Sequence, residues 1–562
     1  MFAGLFRPTL AEIDLLQSFV HVPPPPHLFP KGSPMLRRNH VFPLCAAAVL
    51  AACSPDTVSA PLKTVAGPNL SVGVSANGSR HIVLLNAGAV PSDFAAKVQS
   101  LGGRVSSLNE AAGFAVVAGL PDDAANTLLA NGARDVQPDF QIKIEDGLTP
   151  VLADASGLDN VSINSAANPA GANNFNRQWN MRLINAQKAW QAGKLGSSTV
   201  TVAIIDTGID YDLPDLNGLV DLTRSKSFMD TFVGNGDDPT TPEFDADPIV
   251  PADDTILTKF GIFAGRNLIT DLNGHGTNVA TQVSSNAVRY AGVTSRTKLI
   301  GVKVLGANGV GNFSDILNGV LWAADHGADV ANMSLGGGFS KAGNGQAVGA
   351  INQVFNYAKN KGMVIVVSAG NSGVDLHHIG NQFATYCDAP HVICVSAVGP
   401  ERGSQLGTAA EDLPAFYTNF GKNNVDVAAP GGNADAAHGF APSVWPWTDV
   451  TKPPTSADIA SWVWSYCAKQ SLIIQRSATD PKLGNLFLTT CFTPNTEARL
   501  LNNGYIGTSQ ASPHVAGLAA LLIAENGKGN PNKIKQLIQK SGAATSRDLG
   551  RGRIDVAAAL GL

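Results

Sequence analysis

The chain has 562 residues, too many for one compact core and enough for roughly three to four domains' worth of sequence. Hydrophobic residues make up 44%, charged residues 15%, and Gly is frequent at 58, a composition that suits a large, turn-rich globular protein. The net charge is −5, Lys and Arg are scattered, and no aromatic–basic interleaving occurs, all of which argues against nucleic acid as a partner. No stretch reaches membrane-spanning length.

Residues 1–34 contain Pro23-Pro24-Pro25-Pro26, which forms neither helix nor packed strand. Met35-Leu36-Arg37-Arg38-Asn39-His40 then leads with basic residues into the apolar run from Val41 to Leu50, the pattern of an export signal. Both Met1 and Met35 remain open as starts. The run ends Leu50-Ala51-Ala52-Cys53-Ser54, which resembles the lipobox of bacterial lipoproteins. That resemblance implies a lipidated Cys53 and a membrane anchor of more than one acyl chain. It places the exported protein at the outer membrane or in the periplasm, or secreted after release. The alternative is an ordinary secretory peptide with an incidental Cys53. Beyond Cys45 and Cys53 lie Cys387, Cys394, Cys467 and Cys491, an even set that reads as disulfides in an exported chain. Sequence proximity suggests Cys387–Cys394 and Cys467–Cys491 among three possible pairings. None of the four sits in a C-x-x-C pair, which weakens a metal reading.

Residues 54–78 are rich in Ser, Ala, Gly and Pro and read as a linker. Residues 79–146 form a small α+β unit. Its strands are expected at His81–Leu85, Gly113–Ala118 and Asp135–Ile144, and its helices at Ser92–Leu101 and Asp122–Asn131. The Asn/Ala-rich stretch 147–174 reads as a second linker and an easy place to cut.

From 175 to 562 apolar strands alternate with helices. Strands are expected at 199–205, 298–305, 330–334, 363–368 and 391–398, and helices at 278–285, 314–326, 346–360, 512–525 and 532–540. Strands so uniformly apolar are covered on both faces, which implies an α/β fold: a mostly parallel sheet flanked by helices, with its site beyond the strands' C-terminal ends. The acidic segment 211–270 and the segment 433–503, with four tryptophans, break the alternation and read as surface insertions.

Chemistry gathers at the strand ends. Ile204-Ile205-Asp206-Thr207-Gly208 ends a strand with a carboxylate, and Asn273-Gly274-His275-Gly276-Thr277 sets a histidine between glycines. Ser368-Ala369-Gly370-Asn371 supplies an amide, and Gly507-Thr508-Ser509 a hydroxyl at a helix start. Acyl transfer needs a nucleophile, a base, a carboxylate to orient the base, and donors for the oxyanion. Singly, a strand-end Asp or a helix-start Ser is more often a cap. Glycines crowding His275 and preceding Ser509 favour chemistry, because capping needs no such close approach.

The blocks IIDTGID, NGHGTNVA and GTSQASPHVAG, in that order, resemble the subtilisin-like serine proteases. The resemblance covers about 175–562 and includes Gln178-Trp179-Asn180, Asn332 to Gly337, Val427 to Gly431 and Gly552 to Val556. It implies a serine endopeptidase that cuts proteins and peptides through an acyl-enzyme. Ser509 would be the nucleophile, His275 the base and Asp206 its orienting carboxylate, with Asn371 and the Ser509 N–H as the oxyanion hole. Backbone at Ser334, Leu335 and Gly336 would pair with substrate, Ala369 and Gly370 would line the site, and Ala384 or Thr385 would floor the side-chain pocket. Residues 79–146 look like the family's inhibitor-type propeptide, an intramolecular inhibitor removed by self-cleavage between about Ile144 and Phe175.

Departures are Asn278 for the second histidine of HGTHVAG, Thr281 for its later glycine, and Gln510 for the methionine after the nucleophile. The stretch Val288–Val293 is too short for the family's calcium loop. Asp210, Asp212, Asp215, Asp237 and Asp238 offer acid for calcium but read better as a solvated insertion, so no cofactor is expected to be required and no metal site is assigned. His377, His378 and His391 lack a metal partner set. Three other readings fit less well. A non-catalytic surface protein would normally have lost one of the four roles. An α/β-hydrolase esterase needs Gly-x-Ser-x-Gly and the order Ser, Asp, His. The glycines of Gly306–Gly311 are wrongly spaced for nucleotide binding.

Overall fold

The computed structural model describes residues 80–143, 165–229, 267–271, 273–306, 309–400, 411–433, 462–466 and 502–562, with the backbone of a strand at 151–153. Cys53, Cys467, Cys491, Asp237, Asp238 and most of both insertions lie outside them.

The first unit is an antiparallel sheet of β1 (His81–Leu84), β2 (Arg104–Asn109), β3 (Phe114–Ala118) and β4 (Asp135–Pro138), in the order β2-β3-β1-β4. Helices α1 (Phe94–Ser100) and α2 (Asp122–Asn126) complete it. Strand β2 adds to the expected elements; it is half-exposed and polar, and its pairing with β3 defines it, not its pattern. The period of two gives this sheet two cores. Val83, Leu85, Ala115 and Val117 pack with Phe94, Val98 and Leu128 of its own helices. Ile82, Leu84, Phe114 and Val116 face the other way, into the core of the larger fold.

The chain leaves β4 as two further strands that pair elsewhere. β5 (Gln141–Lys143) runs antiparallel to β10 (Val310–Asn312). β6 (Val151–Ala153) runs antiparallel to β19 (Asn502–Tyr505). The stretch 147–174 is therefore not linker throughout; three residues are too few to announce a strand.

The large sheet is mostly parallel: β7 (Thr201–Asp206), β8 (Lys226–Ser227), β9 (Lys298–Lys303), β11 (Val330–Met333), β13 (Val364–Ser368), β15 (Val392–Gly399), the antiparallel β16 (Leu413–Pro414), and β17 (Val427–Pro430) beside β15. Val202, Ile204, Val366 and Val395 point to one face, where α5 (His275–Val283), α8 (Thr508–Asn526) and α9 (Pro531–Lys540) lie with the shorter α3 (Trp179–Leu183) and α4 (Ala186–Gln191). Ala203, Ile205, Val302 and Val367 point to the other, covered by α6 (Phe313–Asp325) and α7 (Gly345–Asn360).

One expectation needs correction. Trp462 and Trp464, inside the segment read as a surface insertion, are 1% and 4% exposed and belong to the main core. Trp179 Nε1 donates to the Trp462 carbonyl at 3.1 Å. The strand β18 (Val463–Tyr466) pairs with β19 and carries them inward.

Candidate active site

Asp206 is the last residue of β7, in register with Lys303 of β9. Gly274, at φ +97°, turns the chain so that His275 opens α5. Gly276 must be glycine: a Cβ there would stand 2.2 Å from the Gly208 carbonyl oxygen and 3.1 Å from Asp206 Oδ1. That close approach lets His275 Nδ1 donate to Asp206 Oδ1 at 2.8 Å, with both side chains buried. Burial alone would lower the His275 pKa; the charge of Asp206, its hydrogen bond and the charge of Asp271 outweigh it and hold the pKa above the ordinary value.

Ser509 sits in the first turn of α8. Its Oγ donates to the Ser334 carbonyl at 3.1 Å, and it makes no hydrogen bond to His275. The two helices nevertheless pack together: Gln510, next to Ser509, reaches Asn278, one turn beyond His275, in a long 3.5 Å contact. Thr508 N and Oγ1 both donate to Asn371 Oδ1 at 2.9 Å, which leaves the amide nitrogen toward the turn. A point one Cβ out from Gly507 lies 3.5 Å from Asn371 Nδ2 and 3.6 Å from the Ser509 backbone N. Gln510 Oε1 lies 3.0 Å from the same point, and Ser509 stands at the positive end of a nineteen-residue helix.

The other expected residues fall around this centre. Ser334 Oγ donates to the Ser509 carbonyl at 2.7 Å, and Leu335 is buried in the core. A Cβ on Gly336 would stand 3.5 Å from the Thr385 side chain. Ala369 and Gly370 have no backbone group to spare. Their N–H groups bond Val395 O and Thr508 Oγ1, and their carbonyls accept from Asn419. Cys387 and Cys394 form a disulfide that ties the turn beyond Thr385 to β15.

The sequence departures have structural partners. Asn278 Nδ2 bonds the Val463 carbonyl and Ser465 Oγ at 3.3 and 3.0 Å, tying α5 to β18. Asp210 and Asp215 are fully buried, contrary to the solvated reading, while Asp212 is exposed. Asp215 accepts backbone N–H groups from Val288, Arg289 and Tyr290 at 2.7, 2.9 and 3.0 Å, and burial raises its pKa to about 6. Both its oxygens are thus taken by the chain, a donor set that does not fit calcium. Among the described residues no group of three or more His, Cys, Asp or Glu could hold a metal ion.

Asp271 carries weight that its sequence did not announce. Fully buried, it accepts from Thr207 Oγ1, Asn273 N, Gly274 N, Thr277 N and Thr277 Oγ1 at 2.6 to 3.0 Å. It ties the end of β7 to the start of α5. The Asp-x-Asn-Gly turn was the available signal.

Residues 197–555 match the Peptidase_S8, or Subtilase, family. The chain belongs to the subtilase family. It is 31% identical over 371 residues to the thermophilic serine proteinase of Bacillus sp. strain AK1, matching 65% of this chain and 62% of that protein, just under two thirds. It is 28% identical over 385 residues to thermitase of Thermoactinomyces vulgaris, covering 67% of this chain and 94% of thermitase. Among solved structures, the epidermin leader peptide processing protease of Staphylococcus aureus superposes with a TM-score of 0.59 at 20% identity, covering 86% of this chain and 98% of that one, which shows the shared fold.

Proposed function

We propose that this subtilase hydrolyses peptide bonds through Asp206, His275 and Ser509. Ser509 Oγ attacks the scissile carbonyl, His275 takes its proton and later returns it to the leaving amine, and Asp206 holds the imidazole through Nδ1. The oxyanion would sit before Asn371 Nδ2 and the Ser509 N–H. The observation that carries this reading is the buried 2.8 Å Asp206–His275 bond on a helix packed against the one Ser509 opens. Labelling of the matured enzyme by a fluorophosphonate tests it. Label should enter Ser509 and vanish in Ser509→Ala, with kcat down on the order of 10⁶-fold; undiminished labelling of the variant would remove Ser509 from the mechanism.

We infer further that residues 79–146 are a propeptide cut by the enzyme itself. The tail lies along β10 at Lys143, and the chain re-enters along β19, the strand leading to Ser509, at Val151. The cut is then expected between these two residues, within the broader window read from sequence, and it should fail in Ser509→Ala.

Export and a diacyl anchor at Cys53 complete the proposal, supported by the Leu50–Ser54 motif. Radiolabelled palmitate should enter the chain and be lost in Cys53→Ala; equal labelling of both would end the anchor reading.

A further inference from the structure

Lys303 stands where a lysine is hard to keep. It closes β9 in register with Asp206 of β7, is 0% exposed, and alone among the described lysines is buried. Its neighbour Val302 packs under α6 and α7, so strand alternation turns Lys303 to the opposite face of the sheet, where α5 carries His275. There its ammonium donates to the Thr207 carbonyl at 2.8 Å and to the Thr270 carbonyl at 3.1 Å. Thr207 follows Asp206 and Thr270 precedes Asp271, so one cation is tied next to each of two fully buried acids. Buried acids need such compensation. Asp206 Oδ1 accepts from His275 Nδ1 and from Thr207 N at 2.8 and 2.7 Å, while its buried Oδ2 accepts no hydrogen bond among the described residues. With the imidazole neutral, the two acids and the lysine sum to one negative charge, and a proton on His275 brings the cluster to zero. Without the lysine the same resting sum would be two negative charges.

We propose that Lys303 is a positioning residue for the reaction: its ammonium is the counter-charge of Asp206 and Asp271, and through both acids it keeps His275 available as a neutral base. The proposal rests on the reading of Asp206, His275 and Ser509 as the reacting set. Take the cation away, and the two anions hold a proton on the imidazole more tightly. His275 then stays charged to higher pH and cannot accept the Ser509 proton. The remaining titratable groups nearby are Tyr505 of β19, edge-on to the His275 ring at 5.8 Å, and Asp210, whose N–H donates to Thr277 Oγ1 at 3.0 Å. On β8, beside Lys303, Lys226 holds its ammonium over the Trp322 ring of α6 at 4.8 Å.

The test follows the second-order rate at which a fluorophosphonate labels Ser509, against pH, in enzyme expressed as the full chain and matured. That rate falls on the acid side as His275 takes up a proton. In Lys303→Met the acid midpoint should rise by about one pH unit, slowing the labelling below it about tenfold. Lys303→Gln, which keeps a donor for the carbonyls but no charge, should move it as far. If neither variant folds, Asp271→Asn with Lys303→Met removes one charge of each sign; its midpoint should match wild type, whereas Asp271→Asn alone lies lower. A midpoint unmoved in Lys303→Gln, or as low in the double variant as in Asp271→Asn, overturns the proposal and leaves Lys303 a tether between two loops. Wild type that takes no label ends the reading of Ser509 beneath it; label with unmoved midpoints ends the lysine's role alone.

Discussion

At the scale of single residues, Asp271 shows how a buried carboxylate can act on a reaction it never touches. It is a positioning residue: its five accepted hydrogen bonds fix the turn between Asp206 and His275, and its charge helps raise the His275 pKa. Replacing it by Asn keeps the size and removes the charge. With that charge gone the His275 pKa should fall, and since His275 must be neutral to act as base, the acid limb of kcat/KM against pH should move to lower pH. A loose turn should also cost about ten- to a hundredfold in kcat/KM. A lower rate with an unmoved acid limb would make Asp271 structural only. Asp206, His275 and Ser509 stand out in the sequence because each is a reactive group at a strand end or helix start within two residues of a glycine. Asp271 was not, since a lone Asp before an Asn-Gly turn looks like any other cap.

At the scale of elements, α8 hides a titration inside its core face. His514 is fully buried, with Nδ1 donating to the Gln510 carbonyl at 2.8 Å and Nε2 accepting from Asn180 at 2.9 Å. Both roles require the neutral ring, and burial lowers its pKa from 6.5 to about 4. A lowered base pKa means that the unfolded chain binds the proton first. Its stabilisation is present above 6.5 and lost as pH falls from 6.5 to about 4, by about 3 kcal/mol. Urea unfolding in a Ser509→Ala background, which removes self-digestion, should therefore show wild type losing stability across this window. His514→Gln, weaker at neutral pH, should close the gap in acid; a constant gap would mean that the ring does not titrate there.

The same scale explains which elements were visible. Strands β7, β9, β11, β13 and β15 are apolar runs on both faces, so a parallel, helix-covered sheet could be read directly. Strands β5, β6 and β10 are three residues each, too short to show a period, and a neighbour's pairing defines them. Trp462 and Trp464 misled for a related reason. A segment that breaks the βα alternation looks external, yet β18 delivers both rings to the core.

The seam between the small sheet and the large fold is likewise an element-scale device. Arg80 Nε meets Asp139 at 3.0 Å and its other nitrogen meets Asp315; both carboxylates are under 5% exposed. Asp139 also accepts from Ser314 N and Oγ at the start of α6. Removing Arg80 would leave two acids facing each other without their cation. Arg80→Ala should weaken docking by about 3–5 kcal/mol, read, if 79–146 is the cleaved propeptide proposed above, as its loss from the processed chain on size-exclusion chromatography. Retention equal to wild type would mean that the apolar contacts alone hold the seam.

At the scale of the whole molecule, the two cores of the small sheet bear on how the chain reaches its fold. The large sheet joins strands far apart in sequence, such as Thr201 beside Lys298 and Val202 beside Val330, and non-local parallel pairing is slow to form. Helices α6 and α7 must dock on that sheet, and the outer faces they turn away are covered by Ile82, Leu84, Phe114 and Val116. Gln353 of α7 donates to the carbonyls of Leu85, Ala112 and Gly113, and Ser107 bonds Asn318 of α6 at 3.1 Å. The small sheet thus grips both helices at once and holds them in the spacing the large sheet needs. Its own strands are antiparallel and all lie within His81–Pro138, so it can form early. Chain lacking 79–146 should then refold from urea at least about tenfold more slowly than the intact Ser509→Ala chain, with aggregation competing because the α6 and α7 faces stay open. Equal refolding rates would show that the large fold organises those helices unaided.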